Sequence, residues 1–329
     1  MRINFSRFLK VSALVAVTLF SVGSVRADET YPNRPVRLIL PFPPGGGVDA
    51  NGRLLSKALS ELWKQPVVVE NMAGAATTIA TKAVINAKPD GYTLGMVTSR
   101  LTINPAIFKE MPYTSDDFKP VMQLLRSPLY LLAHPSAPGS GSFADLIKYA
   151  KANPNKIKVG TAGAGDITSL PIERLNRAAG IELKQIPYIG AAAMMTAAIS
   201  AEVDMISLVY PVFKAMLKDN RIKALAVTGD SRSPTLPDVP AIKEVVPGYA
   251  GVEEWYGLIA PKGVPAAVLG KLRNDVLKAM ASAELKSRFL EDGNVVVGST
   301  PDEFAAFLKG QTEMWKKTAT EIGLSLELK

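Results

Sequence analysis

The sequence predicts an α/β protein with two domains, each a mixed, mostly parallel sheet flanked by helices. Strands alternate with amphipathic helices along most of the chain, which is the pattern of doubly wound sheets. A strand, a glycine-rich turn and a helix occur together twice, at residues 38–59 and 158–179. The chain has 329 residues, of which 47% are hydrophobic. About 300 residues remain after the predicted leader, and this length suggests about two domains.

The first 27 residues have the features of a secretory leader. A basic start is followed by an apolar run at residues 11–22 and by small residues that end at Ala27. The apolar run is too short to span a bilayer comfortably, although an uncleaved membrane anchor is the alternative. No cysteine follows the leader, so a lipoprotein anchor has no attachment point. We expect cleavage after Ala27 and a periplasmic protein.

Composition argues against several classes of function. The net charge is +8, but the leader holds four basic residues and no acid, so the remaining chain is near +4, with its basic residues scattered. This pattern argues against nucleic-acid binding. The absence of cysteine excludes disulfides, thiolate nucleophiles and zinc–cysteine sites. His134 is the only histidine and has no acid or nucleophile beside it in sequence. We therefore expect no metal, no cofactor and no enzymatic step.

The first predicted domain begins directly after the leader. Strands are expected at 36–40, 66–70 and 92–98, with helices at 48–62 and from the loop at 71–78 to about residue 87. The second of these strands is β-branched until its terminal acid, as buried strands often are. Residues 121–134 form a long apolar segment, interrupted at Ser127-Pro128, that leads into the second domain.

The second predicted domain repeats the alternation. Helices are expected at 143–153, 168–179 and 190–200, and strands at 156–161, 185–188, 204–208 and 224–228. A strand at 252–261 then returns beside 121–134, and helices at 266–281, 283–291 and 301–322 pack on the first domain. The predicted boundaries are 28–126 with 250–329 for domain I and 127–249 for domain II. Two segments then cross between the domains as a hinge.

The first glycine loop predicts an anion site made from backbone. Gly45, Gly46 and Gly47 follow a strand and precede a helix, so unpaired N–H groups and the positive end of the helix dipole meet at one point. The spacing Gly45-x-Gly47-x-x-Ala50 also fits a loose dinucleotide fingerprint, with Glu70 as the ribose-binding acid. A Rossmann-type NAD-dependent oxidoreductase is therefore the alternative. A simple turn, with Asp49 as a first-turn acid favoured by the dipole, is the third interpretation.

The second glycine loop, Gly163-Ala164-Gly165-Asp166, has two interpretations. It is either a second anion loop, or a helix start at which Asp166 or Thr168 caps free amides. The Asp166 carboxylate predicts a ligand amine or amide N–H rather than a purely anionic partner.

Three further groups of candidates follow strand ends. Ala75, Ala76 and Thr77 offer amides and a hydroxyl, or simply pack tightly. Ser99 and Arg100 follow the third strand, where a guanidinium pairs with a carboxylate or remains on the surface. Phe42 forms a wall of the cleft, or belongs to the core.

Ten short phrases, in order along nearly the whole chain after the leader, resemble the Bug-type solute receptors of tripartite tricarboxylate transporters. Among them are Pro41-Phe-x-x-Gly-Gly46, Pro89-Asp-Gly-Tyr-Thr93, Gly163-x-Gly165 and Pro187-Tyr-x-Gly190. The resemblance implies a two-domain, type II-like periplasmic binding protein of the venus-flytrap kind. Such a protein is expected to close, as a monomer, on a mono- or dicarboxylate with or without an amine or ring. It would then deliver this ligand to membrane transport subunits.

The same resemblance assigns ligand contacts position by position. The matching residues are Phe42, Gly45, Gly46, Gly47, Ala75, Ala76, the segment Gly163 to Asp166, Tyr188 and Gly190. The chain also departs from the family pattern. Asp166 stands where a small hydroxyl residue is usual, Arg100 where a small residue is usual, and Ala76 where glycine is usual. Ser169 replaces a common histidine and Ile189 a common basic residue.

Overall fold

The computed structural model describes residues 31–328, so the predicted leader lies outside the described residues. Ten strands and eleven α-helices occur within this range. The strands are β1 (Val36–Leu40), β2 (Val67–Asn71), β3 (Thr93–Thr98), β4 (Phe118–Ala133), β5 (Lys158–Thr161), β6 (Lys184–Pro187), β7 (Met205–Val209), β8 (Lys223–Val227), β9 (Glu253–Pro261) and β10 (Val295–Val296).

The helices occupy the segments between these strands. They are α1 (Gly47–Trp63), α2 (Thr78–Ile85), α3 (Arg100–Ile107), α4 (Phe143–Ala152), α5 (Leu170–Ala179), α6 (Gly190–Ile199), α7 (Tyr210–Lys218), α8 (Ile242–Val245), α9 (Ala266–Met280), α10 (Ala283–Glu291) and α11 (Pro301–Ile322). The sequence did not predict α3, α7, α8 or β10. In residues 31–328 no helix has the length and hydropathy that a membrane span needs.

Strand β4 divides the molecule into two lobes. Its residues 118–128 pair with β9, and its residues 129–133 lie between β7 and β8. We call β1, β2, β3, β9 and β10 with the first part of β4 lobe I, and β5 to β8 with its last residues lobe II. The sequence predicted an interruption at Ser127-Pro128; the strand instead continues and changes partners there. Proline lacks an N–H, so it fits where one ladder gives way to another.

The sheet is mixed, as predicted, and follows the order β2-β1-β3-β9-β4-β7-β5-β6. Strands β1, β2 and β3 are parallel to one another, while β9 runs antiparallel to β3. In lobe II, β5 is parallel to both β6 and β7. The carboxyl ends of parallel strands lie at one edge of a sheet, where open α/β sheets bind ligands. Both glycine loops leave their lobes at such an edge.

Each lobe packs helices on both faces of its sheet. In lobe I, side chains such as Leu38 and Leu55 join α1 and α9 on one face, while Ile39 and Phe304 join α2 and α11 on the other. In lobe II, separate apolar clusters lie on its two faces. Adjacent residues of β1 are therefore buried on opposite sides, as in doubly wound sheets. The predicted fold class is confirmed.

Two chain segments cross between the lobes, and Thr228 joins them. Its Oγ1 donates to the carbonyl oxygen of Val252 at 2.6 Å, and its N–H donates to that of Leu129 at 2.9 Å. Thr228 is completely buried. The crossing segments are thus held side by side, which suits a hinge that bends without parting.

Helix α11 adds a bridge that the sequence did not predict. It was expected to pack on the first domain, and Trp315 does join Ile103 there. The same buried cluster includes Leu170 of lobe II, and the Arg174 Nη1 donates to the Thr318 hydroxyl at 2.9 Å. The carboxyl-terminal half of α11 therefore contacts both lobes on one side of the hinge.

Candidate functional site

Asp49 organises the first glycine loop. One of its carboxylate oxygens accepts the Gly45 N–H at 3.0 Å and Arg53 Nε at 2.9 Å. The other accepts the Asn71 amide at 3.0 Å, and that same amide donates to the Phe42 carbonyl at 2.9 Å. The hydrogen bond from Arg53, followed by that from Gly45, lowers the pKa of Asp49 from 3.8 to about 2. Asp49 and the Gly45 N–H therefore support the loop rather than face a ligand.

The start of α1 remains open to an anion. Gly46 is its N-cap, and no side chain caps the helix. The first N–H groups of an α-helix have no acceptor within the helix. A Cβ placed on Gly46 would meet no atom within 4 Å, and at Gly47 the nearest is the Tyr256 hydroxyl at 3.6 Å. The N-terminus of α1 therefore faces open space, and Phe42, which precedes the loop in sequence, is half-buried.

The loop after β2 has an unusual backbone. Ala75, Ala76 and Thr77 have φ values of +41°, +49° and +76°, a region that costs a side-chain-bearing residue roughly 1–2 kcal/mol. The Asn104 amide of α3 donates to the Ala76 carbonyl at 2.6 Å and helps to hold this turn. Glycine would adopt the Ala76 conformation without strain. Strained backbone of this kind clusters at binding sites.

The start of α3 is occupied by a carboxylate of the chain itself. The Ser99 N–H and hydroxyl donate to Glu254 at 2.9 and 3.0 Å, and the Trp255 N–H donates to it at 2.9 Å. Because β9 runs antiparallel to β3, the start of β9 lies beside the end of β3. Ser99 is 1% exposed. Both Ser99 donors thus bind Glu254, and the predicted ligand contact at Ser99 stays a prediction.

Arg100 and Asp166 connect the two lobes. The Arg100 Nη2 lies 2.6 Å from Asp166 Oδ2. The other oxygen, Oδ1, accepts the Thr168 N–H at 2.8 Å and its hydroxyl at 2.7 Å. Each Asp166 oxygen therefore accepts at least one hydrogen bond from the chain itself, and the prediction that this carboxylate receives a ligand amine stays a prediction. The pair also shows that the loops after β3 and β5 face each other.

The remainder of the second glycine loop has two environments. Gly163 has φ +100° and open space at its Cβ position, whereas a Cβ on Gly165 would lie 2.6 Å from Ile107 Cδ1 of lobe I. Gly163, Ala164 and Gly165 line a cavity of about 390 Å³ that also touches Glu173 and the segment after α11. Gly163 and Ala164 thus face a cavity, while Gly165 permits close contact between the lobes.

The loop after β6 lies at the same edge of lobe II. The Tyr188 hydroxyl donates to Glu202 at 2.8 Å, and its ring lies 3.3 Å from the Cβ position of Gly160. The Tyr188 hydroxyl is therefore engaged by a residue that follows α6, and the predicted ligand contact at Tyr188 stays a prediction. Gly190 has φ +83° and open space around it. Ile189 is 99% exposed.

The candidate residues thus form two facing groups rather than one closed pocket. Lobe I contributes the loops after β1, β2 and β3, and lobe II those after β5 and β6. The structure adds Asn71, Asn104 and Glu254, which sequence reasoning missed. Asn71 belongs to a recognisable phrase at the end of β2, but nothing local marks Asn104 or Glu254, since each reaches its partner through the tertiary fold.

The dinucleotide interpretation loses its ribose-binding acid. Both oxygens of Glu70 accept hydrogen bonds from Arg37, each at 2.7 Å. A cavity of about 730 Å³ lies between α1 and α10, and Lys57 and Glu284 pair across it at 2.9 Å. His134 is half-buried and bonds Ser136, two residues later. Residues 31–328 hold no group of three or more potential metal-ligating side chains.

Comparison with known proteins identifies the family. The model of the tripartite tricarboxylate transporter family receptor matches residues 52–324. A Pseudomonas sp. protein, "UPF0065 protein in tcbD-tcbE intergenic region", is 34% identical and covers 94% of this chain and 93% of its own length.

Two solved structures show the same fold. The periplasmic binding protein BugD is 32% identical, with a TM-score of 0.75, over 90% of this chain and 99% of its own. The R. palustris protein Rpa4515, solved with adipate, is 31% identical, with a TM-score of 0.80, over 90% and 99% of the two chains. The chain therefore belongs to the tripartite tricarboxylate transporter receptor family and has the two-lobed fold of periplasmic binding proteins.

Proposed function

We propose that this chain captures a small organic carboxylate between its lobes and delivers it to the membrane subunits of a tripartite transporter. The observation that carries the proposal is the uncapped start of α1, which follows the carboxyl end of β1 in lobe I, just as the lobe II loops follow the carboxyl ends of β5 and β6. The adipate in the related Rpa4515 structure supports a carboxylate as the ligand class.

The contacts we propose come from both lobes. In lobe I they are the backbone N–H groups of Gly46 and Gly47, the wall formed by Phe42, and the strained turn at Ala75 and Ala76. In lobe II they are Gly163, Ala164 and Gly190, whose surroundings are partly or wholly open. Each hydrogen bond from an N–H group to a carboxylate contributes about 1.5–3 kcal/mol. Two or three of them supply about 3–9 kcal/mol, so a micromolar constant, near −8 kcal/mol, also requires burial of the apolar part of the ligand.

Closure follows from the division of these contacts between lobes. Ligand contacts that exist only when the lobes meet shift the population toward the closed state. We place the lobe boundaries at 126/127 and 249/250, near the places where β4 changes partners and where Val252 bonds Thr228. No covalent step is needed, and the chain releases its ligand unchanged. We also propose that residues 1–27 direct export and are removed after Ala27.

Isothermal titration of the mature chain tests this function. The probes are mono- and dicarboxylates of three to six carbons, each matched with its neutral amide. We expect at least one carboxylate to bind with a micromolar constant and its amide to bind far more weakly, because the amide lacks the charge. Failure of every carboxylate at millimolar concentration would overturn the proposal.

A pair of variants then tests the location of the site. Gly46→Leu fills the space in front of α1, and its φ of −86° suits any residue, so we expect binding to fall more than 100-fold in a folded protein. Gly270→Leu is the matched control, since it also enters open space but lies on α9. Equal binding by the two variants would place the ligand elsewhere.

A further inference from the structure

The ion pair between Arg100 and Asp166 places two charges at the wall of the proposed cleft. Arg100 is the first residue of α3 in lobe I, and Asp166 lies in the loop after β5 in lobe II. Their side chains are 23% and 14% exposed. A pair this shielded is screened little by salt. Because the pair lies at the cleft, it bears on which carboxylates the site accepts, a role that rests on the proposed function.

Asp166 is held by its own loop. Its Oδ1 accepts two hydrogen bonds from Thr168, and the Thr168 hydroxyl accepts the Ala162 N–H at 2.8 Å. The carboxylate is therefore fixed relative to lobe II before it meets Arg100. It acts as a rigid counter-ion in the place that a ligand carboxylate would otherwise occupy on the guanidinium.

A ligand with two carboxylates would need a cation for the second one, and Arg100 is a cation at this wall of the cleft. It lies one helical turn before Asn104, whose amide holds the Ala76 carbonyl, so both residues lie on the same side of α3 as the strained turn. A guanidinium has five N–H donors, but its single positive charge is already balanced by Asp166. A cation at a helix N-terminus is also unfavourable unless acids compensate it.

Glu254 places a second carboxyl group beside the Arg100–Asp166 pair. It accepts three hydrogen bonds at the start of α3, beside Arg100. Burial raises the pKa of Glu254, hydrogen bonds from Ser99 and Trp255 act in the opposite direction, and the Asp166 charge raises it, so this environment disfavours further negative charge. A second ligand carboxylate would meet one balanced cation and a further acid.

We propose that the Arg100–Asp166 pair makes this receptor select monocarboxylates over dicarboxylates of the same length. Asp166 is the specificity-determining residue, because it occupies the guanidinium across the cleft. The apolar, fully exposed Ile189 on the loop after β6 suits the uncharged end of such a ligand.

Titration of matched ligands tests the proposal. The probe pairs are butyrate with succinate and hexanoate with adipate, which differ by one carboxylate at constant chain length. Wild type should prefer the monocarboxylate of each pair. Asp166→Asn keeps an acceptor oxygen for Thr168 but frees the Arg100 charge, so the ratio of affinities should move roughly 10- to 100-fold toward the dicarboxylate.

The double variant Arg100→Gln/Asp166→Asn is the control. It removes both charges, so the gain for dicarboxylates should disappear if that gain comes from Arg100. Thermal melting of each variant checks that it is folded. A wild type that prefers the dicarboxylate, or an unchanged ratio in Asp166→Asn, would overturn this inference while leaving carboxylate capture intact. If wild type bound no carboxylate at all, neither the four probes nor any other, both this inference and the proposed function would be overturned.

Discussion

The two glycine loops share the same strand–turn–helix arrangement but use their acids differently. In the first, Asp49 lies inside α1, behind the loop, and holds the Gly45 N–H. In the second, Asp166 lies in the loop itself, holds Thr168 and reaches Arg100 of the other lobe. The first loop therefore keeps its helix start open, whereas the second is tied across the cleft.

The position of one carboxylate thus decides what a glycine loop does. An acid within the first turn of the helix stabilises the turn from behind and leaves the dipole end exposed. An acid before the helix takes the front of the loop, where a ligand would lie. Glycine spacing alone does not distinguish these two outcomes.

The loops should differ most in how much one added methyl group, from a glycine-to-alanine substitution in each loop, lowers the free energy of unfolding. Gly165→Ala forces alanine to φ +76° with its Cβ 2.6 Å from the buried Ile107, so the free energy of unfolding should fall by about 2 kcal/mol or more. Gly46→Ala meets neither problem and should change it by less than about 0.5 kcal/mol. Urea unfolding measures both. Equal effects would mean that the second loop is not packed against lobe I.

The acid behind the first loop should show itself in the pH dependence of stability. Because the pKa of Asp49 is about 2 in the folded chain and 3.8 ordinarily, its contribution is present above about pH 4 and is lost as the pH falls through 2. Asp49→Asn should therefore be less stable than wild type by about 1–2 kcal/mol at pH 6. Melting curves from pH 6 to pH 2 should show this gap closing. A constant gap would contradict the assigned role.

The turn after β2 provides a smaller test, because it adopts a glycine-like backbone without glycine. Ala76→Gly should raise the free energy of unfolding by about 0.5–1 kcal/mol, since glycine relieves the strain at φ +49°. Ala306→Gly makes the same chemical change on the exposed face of α11 and should lower it by about 1 kcal/mol. Destabilisation by both substitutions would show that Ala76 is not strained.

The fold could be predicted well because its strands and helices are marked by patterns among residues that are neighbours in the sequence. The alternation of strands and helices, and the bounds of elements such as β1, α9 and α11, follow from periodicity and capping residues. Helix α3 was missed because Pro105 and its polar residues hide the helical pattern. Strand β4 looked interrupted because Pro128 suits a change of ladder only in the folded sheet.

The site was predicted in part for the same reason. The open loops at Gly46 and Gly190 follow from glycine after a strand. Three candidate residues already have hydrogen-bond partners within the chain: Ser99 binds Glu254, Asp166 binds Arg100, and Tyr188 binds Glu202. These partners lie too far away along the chain for a local pattern to reveal them. Side chains that satisfy one another across a fold are recognised only from coordinates.

A crystal structure of the mature chain with a bound carboxylate tests the central claim most directly. We predict carboxylate oxygens within hydrogen-bonding distance of N–H groups at Gly46 or Gly47, with a lobe II loop closed over the same ligand. A carboxylate held in the groove between α1 and α10, or by one lobe while the other stays apart, would contradict this claim.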